Sequence, residues 1–165
     1  MKRLAFLVLT IIALTIPFGI SAQQTTVILV RHAEKVDGPG DVALSEAGAA
    51  RAARLTELLK SAGITAVYST PFRRTLETAA PIAKALGLEV LQTQNSATYA
   101  QSTAERVLKE QRGKTVLVVG HSNTTPDLAK ALGVTVPAIT DPEYDNLYVV
   151  QIAADGKATV IRAKY

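Results

Sequence analysis

Two runs of four consecutive apolar residues constrain the fold of this chain more than any other feature. They are VILV at residues 27–30 and VLVV at residues 116–119. A strand with one face in water alternates apolar and polar residues, whereas a strand covered on both faces is apolar throughout. The two runs therefore predict strands in the middle of a mainly parallel sheet, with helices packed on each face.

Short strands alternate with segments of helical periodicity along the chain. The predicted strands span residues 25–30, 66–68, 90–91 and 115–119, and the predicted helical segments span residues 44–63, 71–87, 104–113 and 126–133. Ser45 is the predicted N-cap of the first helix and Gly63 its predicted end, while Thr125 before a proline predicts the start of the last helix. Alternation of this kind is typical of α/β domains.

The end of the chain has a different pattern. NLYVVQIA and ATVIRAKY are joined by a turn at Asp155 and Gly156, which predicts an antiparallel hairpin. The complete prediction is an α/β fold: a three-layer α/β/α sandwich whose central sheet is mostly parallel and ends in a C-terminal antiparallel hairpin.

The first 22 residues, MKRLAFLVLTIIALTIPFGISA, have the pattern of a secretory signal peptide. Lys2 and Arg3 precede an uncharged apolar run over residues 4–18, and small residues follow it. A retained membrane anchor is the alternative, but the run is shorter than the roughly 20 residues that span a bilayer. We expect cleavage after Ala22 or one residue earlier, and a single periplasmic or extracellular domain over residues 23–165 that no longer contacts the membrane.

Composition excludes several classes of function. Without the predicted signal peptide the chain has 16 basic and 14 acidic residues, a balance that gives no support to nucleic-acid binding. It has no cysteine, which excludes thiol chemistry, cysteine-ligated zinc and a lipoprotein anchor. Stability must therefore come from the apolar core.

Both histidines of the chain follow apolar strands. Arg31 and His32 come directly after VILV, and His121 follows VLVV and one glycine. The strand segment AVY is followed by STPFRR, which contains Arg73 and Arg74. Ligands of open α/β sheets bind beyond the carboxyl ends of the strands. We therefore expect these side chains to share one pocket.

Each of these residues alone has an ordinary explanation, since a histidine at a strand end is more often structural and adjacent arginines are normally solvated. Two imidazoles and at least two guanidiniums in one pocket would repel one another unless an anion lay between them. Phosphate is such an anion, and arginine offers it a planar fork of donors. Zinc is the alternative, but it requires a third protein ligand and neutral or acidic surroundings, so the arginines argue against a metal site.

Motifs along nearly all of residues 23–165 resemble the histidine phosphatase superfamily, also called the phosphoglycerate mutase-like superfamily. RHAEK is similar to the RHG signature after the first strand, and ALSEAGAARA to the helix start L-S/T-x-x-G-x-x-Q-A. YSTPFRRTLETA is similar to Y-S-S-x-x-x-R-A-x-Q-T-A, and VLVVGHS to V-x-x-V-x-H-G/S. One departure is Ala33, where many members have glycine. The RHAE form is similar to that of small exported members and of phosphohistidine phosphatases.

The resemblance implies a histidine acid phosphatase-type hydrolase that uses neither a cofactor nor a metal. It implies that His32 attacks phosphorus and carries the phosphoryl group as a phosphohistidine, and that His121 is protonated or donates a hydrogen bond to the phosphoryl oxygens. It also implies that Arg31 and a second arginine clamp those oxygens. Alignment places Arg74 at this second position and leaves Arg73 as the neighbouring candidate.

Two further residues are candidate contacts of phosphate or substrate. They are Ser122 and Asn123, at the start of the helix after the second histidine. No motif identifies the general acid for the leaving group, because the loop TQNSATYAQST has no carboxylate. The candidates are Glu34, Asp41, Glu105 and Asp145.

We expect from the sequence an exported, metal-independent phosphatase that hydrolyses phosphomonoesters or phosphoramidates of small molecules or phosphohistidine and releases inorganic phosphate. Without a general acid, good leaving groups such as phosphohistidine or aryl phosphates would be favoured. A phosphate-binding protein with a vestigial site is the alternative. A mutase is a weaker one, because it needs a phosphorylated primer and protection of its intermediate from water.

Overall fold

A computed structural model describes residues 24–94 and 96–165 of the chain. The predicted signal peptide, residues 1–22, lies outside the described residues. Over the part of the chain that the structure describes, no helix combines the length and the apolar character needed to cross a bilayer.

The strands within the described residues form one mixed sheet. They are β1 (Thr25–Arg31), β2 (Ile64–Ser69), β3 (Val90–Gln92), β4 (Thr115–Gly120), β5 (Asn146–Ile152) and β6 (Ala158–Lys164). Their order across the sheet is β3-β2-β4-β1-β5-β6. Strands β1 to β4 pair in parallel, and β5 runs antiparallel to both β1 and β6. The predicted fold, with the two apolar strands at the centre of a mostly parallel sheet and a C-terminal hairpin at its edge, is confirmed.

Helices cover both faces of the central strands. They are α1 (Glu46–Leu59), α2 (Arg73–Leu86), α3 (Tyr99–Glu110) and α4 (Thr124–Ala131). Val27 and Leu29 of β1 are buried in the apolar cluster that contains residues of α3 and α4, whereas Ile28 and Val30 are buried in the cluster that contains residues of α1 and α2. Successive residues of β1 therefore enter opposite cores, which is why the run VILV has no polar member.

The predicted helix boundaries are partly correct. Ser45 is the N-cap of α1, and its hydroxyl accepts a hydrogen bond from the backbone N–H of Gly48 at 3.1 Å. The predicted end at Gly63 is wrong, because α1 stops at Leu59 and Gly63 adopts a left-handed φ of 69° just before β2. Helix α3 begins at the buried Tyr99, five residues before the predicted segment.

Helix α4 begins at Thr124, with Asn123 as its N-cap residue. The predicted start at Thr125 is one residue late. Pro126 lies in the first turn, where the missing N–H of proline costs no intrahelical hydrogen bond.

Candidate active site

The two histidines meet because β1 and β4 are adjacent and in register. Arg31 pairs with Gly120, and the backbone N–H of His32 donates to the carbonyl oxygen of Gly120 at 2.9 Å. His121 follows directly, and its own backbone N–H donates to the hydroxyl of Thr124 at 2.8 Å. The two imidazole rings lie with their centroids 5.4 Å apart at an interplanar angle of 66°. Both side chains are buried, at 3% and 8% exposure for His32 and His121.

The ring of His32 is held by its own backbone. Its Nδ1 lies 2.7 Å from the carbonyl oxygen of Ala33, and since a carbonyl only accepts, Nδ1 carries the proton. The backbone N–H of Ala33 donates to the hydroxyl of Thr78 at 3.0 Å, which fixes this segment to α2. Burial, together with the charges of Arg31 and Arg74, lowers the pKa of His32 to about 4 in spite of the hydrogen bond to Ala33. At neutral pH the ring is therefore uncharged and its Nε2 carries a lone pair.

His121 lies in a different environment. Its Nε2 is 2.8 Å from the hydroxyl oxygen of Thr70, and its Nδ1 is 3.5 Å from a terminal guanidinium nitrogen of Arg74. The ring of Phe72 packs edge-on against it, with centroids 5.2 Å apart. Burial lowers the pKa of His121 to about 3, helped by the charge of Arg74. The protein groups alone therefore keep His121 neutral, and protonation there requires an added negative charge.

Arg31 is buried and is held by the loop that precedes β5. One terminal nitrogen lies 3.3 Å from the carbonyl oxygens of Thr140 and Glu143, and the other bonds the carboxylate of Asp141. The guanidinium also stacks on the ring of Tyr144, 4.1 Å from its centroid. Its Nε is buried and has no hydrogen-bond partner among the described residues. Nε–H is therefore a donor that Arg31 can offer to an anion.

The structure separates the two consecutive arginines of α2. Arg74 is 16% exposed, stacks on Phe72 at 4.6 Å and reaches His121, while its second terminal nitrogen lies 3.9 Å from Asp41. Arg73 is 61% exposed and pairs with Glu77 at 2.7 Å, one turn along the same helix. Successive helical residues point about 100° apart, so only one of the two can face the histidines.

Ser122 and Asn123 lie between His121 and the first residue of α4. Ser122 is half-buried and Asn123 is exposed. Both stand at the amino end of α4, where backbone N–H groups lack intrahelical partners. Their position suits contacts with an anion or with the rest of a substrate.

The predicted general-acid candidates mostly have partners elsewhere. Glu34 forms hydrogen bonds of 2.7–2.9 Å with the guanidinium of Arg51, which lowers the pKa of its carboxyl group. Asp145 accepts from Lys164 at 2.8 Å, which also lowers its pKa. A carboxyl group that an adjacent cation keeps ionised is a poor proton donor. These contacts argue against both residues as general acids.

The other two candidates differ from each other. Glu105 lies in the middle of α3, is exposed and accepts from Gln101 at 2.9 Å. Asp41 accepts a hydrogen bond from the backbone N–H of Arg73 at 2.6 Å and lies beside Arg74. Of the four candidates, Asp41 is the one that contacts an arginine reaching the histidines.

Sequence reasoning missed the contribution of the segment TDPEYD at residues 140–145. Asp141 contacts Arg31, and the ring of Tyr144 lies 5.9 Å from that of His32 between centroids. The available signal was topological. Strands β1 and β5 are antiparallel neighbours, so β5 begins at the edge of the sheet where β1 ends. Residues just before β5 therefore lie beside the residues just after β1.

The missed residues of the first half of the chain are Phe72, Thr70 and Thr78. Each contacts a histidine or the backbone beside one. In residues 24–94 and 96–165, no group of three histidine, aspartate or glutamate side chains is arranged to hold a metal ion.

The described fold resembles solved structures, and part of the sequence matches the model of a protein family. The model of the histidine phosphatase superfamily (branch 1) matches residues 27–97, which confirms the resemblance found in the sequence. Protein histidine phosphatase SixA, solved with tungstate, superposes with a TM-score of 0.68 at 20% identity, covering 84% of this chain and 96% of SixA. No curated protein sequence matches this chain significantly.

Two further solved structures share the fold. YhfR of Bacillus stearothermophilus has a TM-score of 0.66 at 19% identity, covering 82% of this chain and 95% of YhfR. Phosphoserine phosphatase of Entamoeba histolytica, solved with 3-phosphoglyceric acid, has a TM-score of 0.65 at 18% identity, covering 86% of this chain and 97% of that enzyme. At these identities the likeness establishes the fold alone.

Proposed function

We propose that the protein, whose residues 27–97 match the model of the histidine phosphatase superfamily, is an exported, metal-independent phosphatase whose nucleophile is His32. Its substrates are phosphomonoesters or phosphoramidates, and its product is inorganic phosphate. One observation carries the proposal. The Nδ1–H of His32 donates to the carbonyl oxygen of Ala33, so the buried and uncharged ring keeps the lone pair of Nε2 for attack.

The proposed reaction consists of two displacements at phosphorus. In the first, the Nε2 lone pair of His32 attacks phosphorus, the bond to the leaving oxygen or nitrogen breaks, and the leaving group takes the bonding electrons. In the second, water attacks the phosphohistidine, the P–N bond breaks, and its electrons return to Nε2. The proton lost by the attacking water passes to the solvent or to the phosphate formed.

Positive charge around the histidines supports this reaction. Arg74 lies 3.5 Å from the ring of His121, and Arg31 stacks on Tyr144, whose ring centroid is 5.9 Å from that of His32. A phosphoryl group entering this site would replace repulsion between cations by charge-assisted hydrogen bonds. Stabilisation of the equatorial oxygens is where most of the catalysis of phosphoryl transfer lies. The Nε–H of Arg31 and the guanidinium of Arg74 are the proposed donors.

The assay is hydrolysis of 4-nitrophenyl phosphate by the purified protein in EDTA, compared with His32→Ala. We expect EDTA to leave turnover intact and the substitution to abolish it. A radiolabelled substrate, quenched in alkali because phosphohistidine survives there, should label the wild-type chain and not the variant. Loss of wild-type turnover in EDTA would contradict the metal-independent mechanism.

A second candidate function is a phosphate-binding protein with a vestigial site, because the candidate carboxylates Glu34 and Asp145 are paired with Arg51 and Lys164. Under that alternative, the wild type would bind inorganic phosphate and show no turnover on phosphomonoesters, phosphoramidates or phosphohistidine peptides. Calorimetric titration with phosphate, run beside the turnover assay, distinguishes the two functions.

Export is proposed from the N-terminal sequence. Its test is the N-terminal sequence of the protein recovered outside the inner membrane, which we expect to begin at Gln23 or one residue earlier. Recovery of the intact N-terminus in the membrane fraction would support a retained anchor instead.

A further inference from the structure

We propose that the hydroxyl groups of Thr70 and Thr75 form a relay that fixes a proton on Nε2 of His121 and leaves Nδ1 as the nitrogen that meets the phosphoryl group. This inference deepens the proposed function and rests on it. Thr70 and Thr75 are positioning residues, since both act through His121.

The relay consists of four close contacts in the interior. Thr70 and Thr75 are completely buried. The hydroxyl oxygen of Thr70 lies 2.8 Å from Nε2 of His121 and 2.8 Å from the hydroxyl oxygen of Thr75. The hydroxyl oxygen of Thr75 lies 2.7 Å from the carbonyl oxygen of Phe72 and 2.9 Å from that of Thr70.

The carbonyl groups set the direction of every proton in this relay. A carbonyl oxygen only accepts, so the single proton of the Thr75 hydroxyl must point to one of the two carbonyls. If this proton pointed elsewhere, the Thr75 hydroxyl oxygen would lie 2.7 and 2.9 Å from two carbonyl oxygens with no proton between them. The contact between the two hydroxyls then requires the Thr70 hydroxyl to donate to Thr75.

The direction at His121 follows from the same count. The Thr70 hydroxyl donates its only proton to Thr75, so its oxygen can only accept a hydrogen bond from the imidazole of His121. Nε2 of His121 therefore carries a proton whether the ring is neutral or charged. In the neutral ring the lone pair is on Nδ1, which faces the guanidinium of Arg74 at 3.5 Å.

The two histidines are thus fixed in opposite tautomers. His32 carries its proton on Nδ1, where the carbonyl of Ala33 accepts it, and His121 carries its proton on Nε2. The relay uses one nitrogen of His121, so any proton that it shares with a phosphoryl oxygen lies on Nδ1. A flipped tautomer would aim a lone pair at Thr70 and an N–H at the Arg74 cation, and both contacts would be lost.

The test is the 15N–1H two-bond correlation spectrum of the histidine rings, recorded on the tag-free protein at neutral pH. With only two histidines in the chain, His32→Gln assigns both rings. We expect the Nδ1–H pattern for His32 and the Nε2–H pattern for His121. The wild-type spectrum is decisive without any variant, since an Nδ1–H pattern for His121 would overturn the proposal.

Variants of the relay test its effect on the reaction. Thr70→Val removes the acceptor and should give His121 a mixture of tautomers and a kcat about 10- to 100-fold lower, while Thr70→Ser should restore both. Thr75→Val frees the Thr70 proton to point at His121 and should also mix the tautomers. Thr56→Val is the control, because the buried Thr56 hydroxyl donates only to the carbonyl of Ala52 in its own helix.

The readouts separate this inference from the proposed function. If the protein shows no turnover on any phosphate, the ring spectra and their change on adding inorganic phosphate still measure the tautomer of His121. Wild-type turnover with an unchanged His121 pattern in Thr70→Val would contradict the relay and leave the phosphatase proposal standing.

Discussion

The rings of His32 and His121 meet edge to face, 5.4 Å apart between centroids, and each is neutral because it is buried beside arginines. A second positive charge at this distance would be costly, so neither ring gains a proton while the arginines lack an anion. The pair therefore responds strongly to any negative charge that enters between them. The same arrangement makes the stability of the protein depend on pH.

We expect the free energy of unfolding to fall as pH decreases from 6.5 to 5 in a phosphate-free buffer. The folded pKa values, about 4 for His32 and about 3 for His121, lie below the usual value of 6.5, so the unfolded chain takes up protons first. This stability is complete well above pH 6.5, and the two rings together lose about 3 kcal/mol of it between pH 6.5 and pH 5. Urea unfolding across this range measures the loss.

The control is the double variant His32→Gln, His121→Gln, which has no histidine. Its unfolding free energy should change little over the same range, because the carboxyl groups titrate mostly at lower pH. An equal slope in the double variant would assign the pH dependence to other groups.

Arg74 and Arg73 form a matched pair for testing the phosphate clamp. Arg74→Lys should lower kcat/KM about 100-fold, because a lysine cannot keep both the stacking on Phe72 and the forked contact to an anion beside His121. Arg73→Lys should change it less than about twofold, since its exposed ion pair with Glu77 is worth little. Steady-state kinetics with 4-nitrophenyl phosphate gives both values. Equal losses in the two variants would contradict the assignment of Arg74.

The sequence was sufficient for the fold because local patterns determined it. Continuous apolar runs identified the two central strands, and the glycine and turn residues located the hairpin. The pairing of the histidines also followed, since adjacent parallel strands end at the same edge. Helix boundaries were less predictable, because α3 begins at a tyrosine that tertiary packing buries.

Other features depended on contacts between distant segments. The ion pair of Glu34 with Arg51 joins the loop after β1 to α1, and no local sequence pattern predicts it. Gly48 is a similar case, since a Cβ there would lie 2.0 Å from the carbonyl oxygen of Glu34. The contact of Asp141 with Arg31 spans more than a hundred residues. Contacts of this kind depend on the tertiary fold and not on a local sequence pattern.

The contacts of the candidate carboxylates predict a strong dependence on the leaving group. Glu34 and Asp145 are held as ions by Arg51 and Lys164, so neither can readily protonate a departing oxygen. A general acid typically contributes about 10²- to 10⁴-fold, so phenyl phosphate should show a kcat/KM at least about 100-fold below that of 4-nitrophenyl phosphate. A series of substituted phenyl phosphates gives the slope against leaving-group pKa.

Substitution of Asp41 tests whether this residue contributes to the dependence of the rate on leaving-group pKa. Asp41→Asn should change all rates by a similar factor, because it removes a charge beside Arg74 without removing a proton donor. A selective loss on poor leaving groups would instead identify Asp41 as the general acid.

Asp141 should weaken anion binding in the wild type, because its carboxylate already neutralises part of the charge on Arg31. The guanidinium keeps the carbonyls of Thr140 and Glu143 and the ring of Tyr144 as supports when that carboxylate is removed. Asp141→Asn should therefore leave Arg31 in place and increase the positive charge beside His32. Since the Asp141 side chain is 78% exposed and water screens it, we expect only about a two- to fivefold lower Ki for inorganic phosphate.

Asp155→Asn, with the same charge change in the turn between β5 and β6 at the opposite end of the sheet, should leave Ki unchanged. Equal effects in both variants would indicate net charge alone, and weaker phosphate binding in Asp141→Asn would show that the carboxylate is needed to hold Arg31.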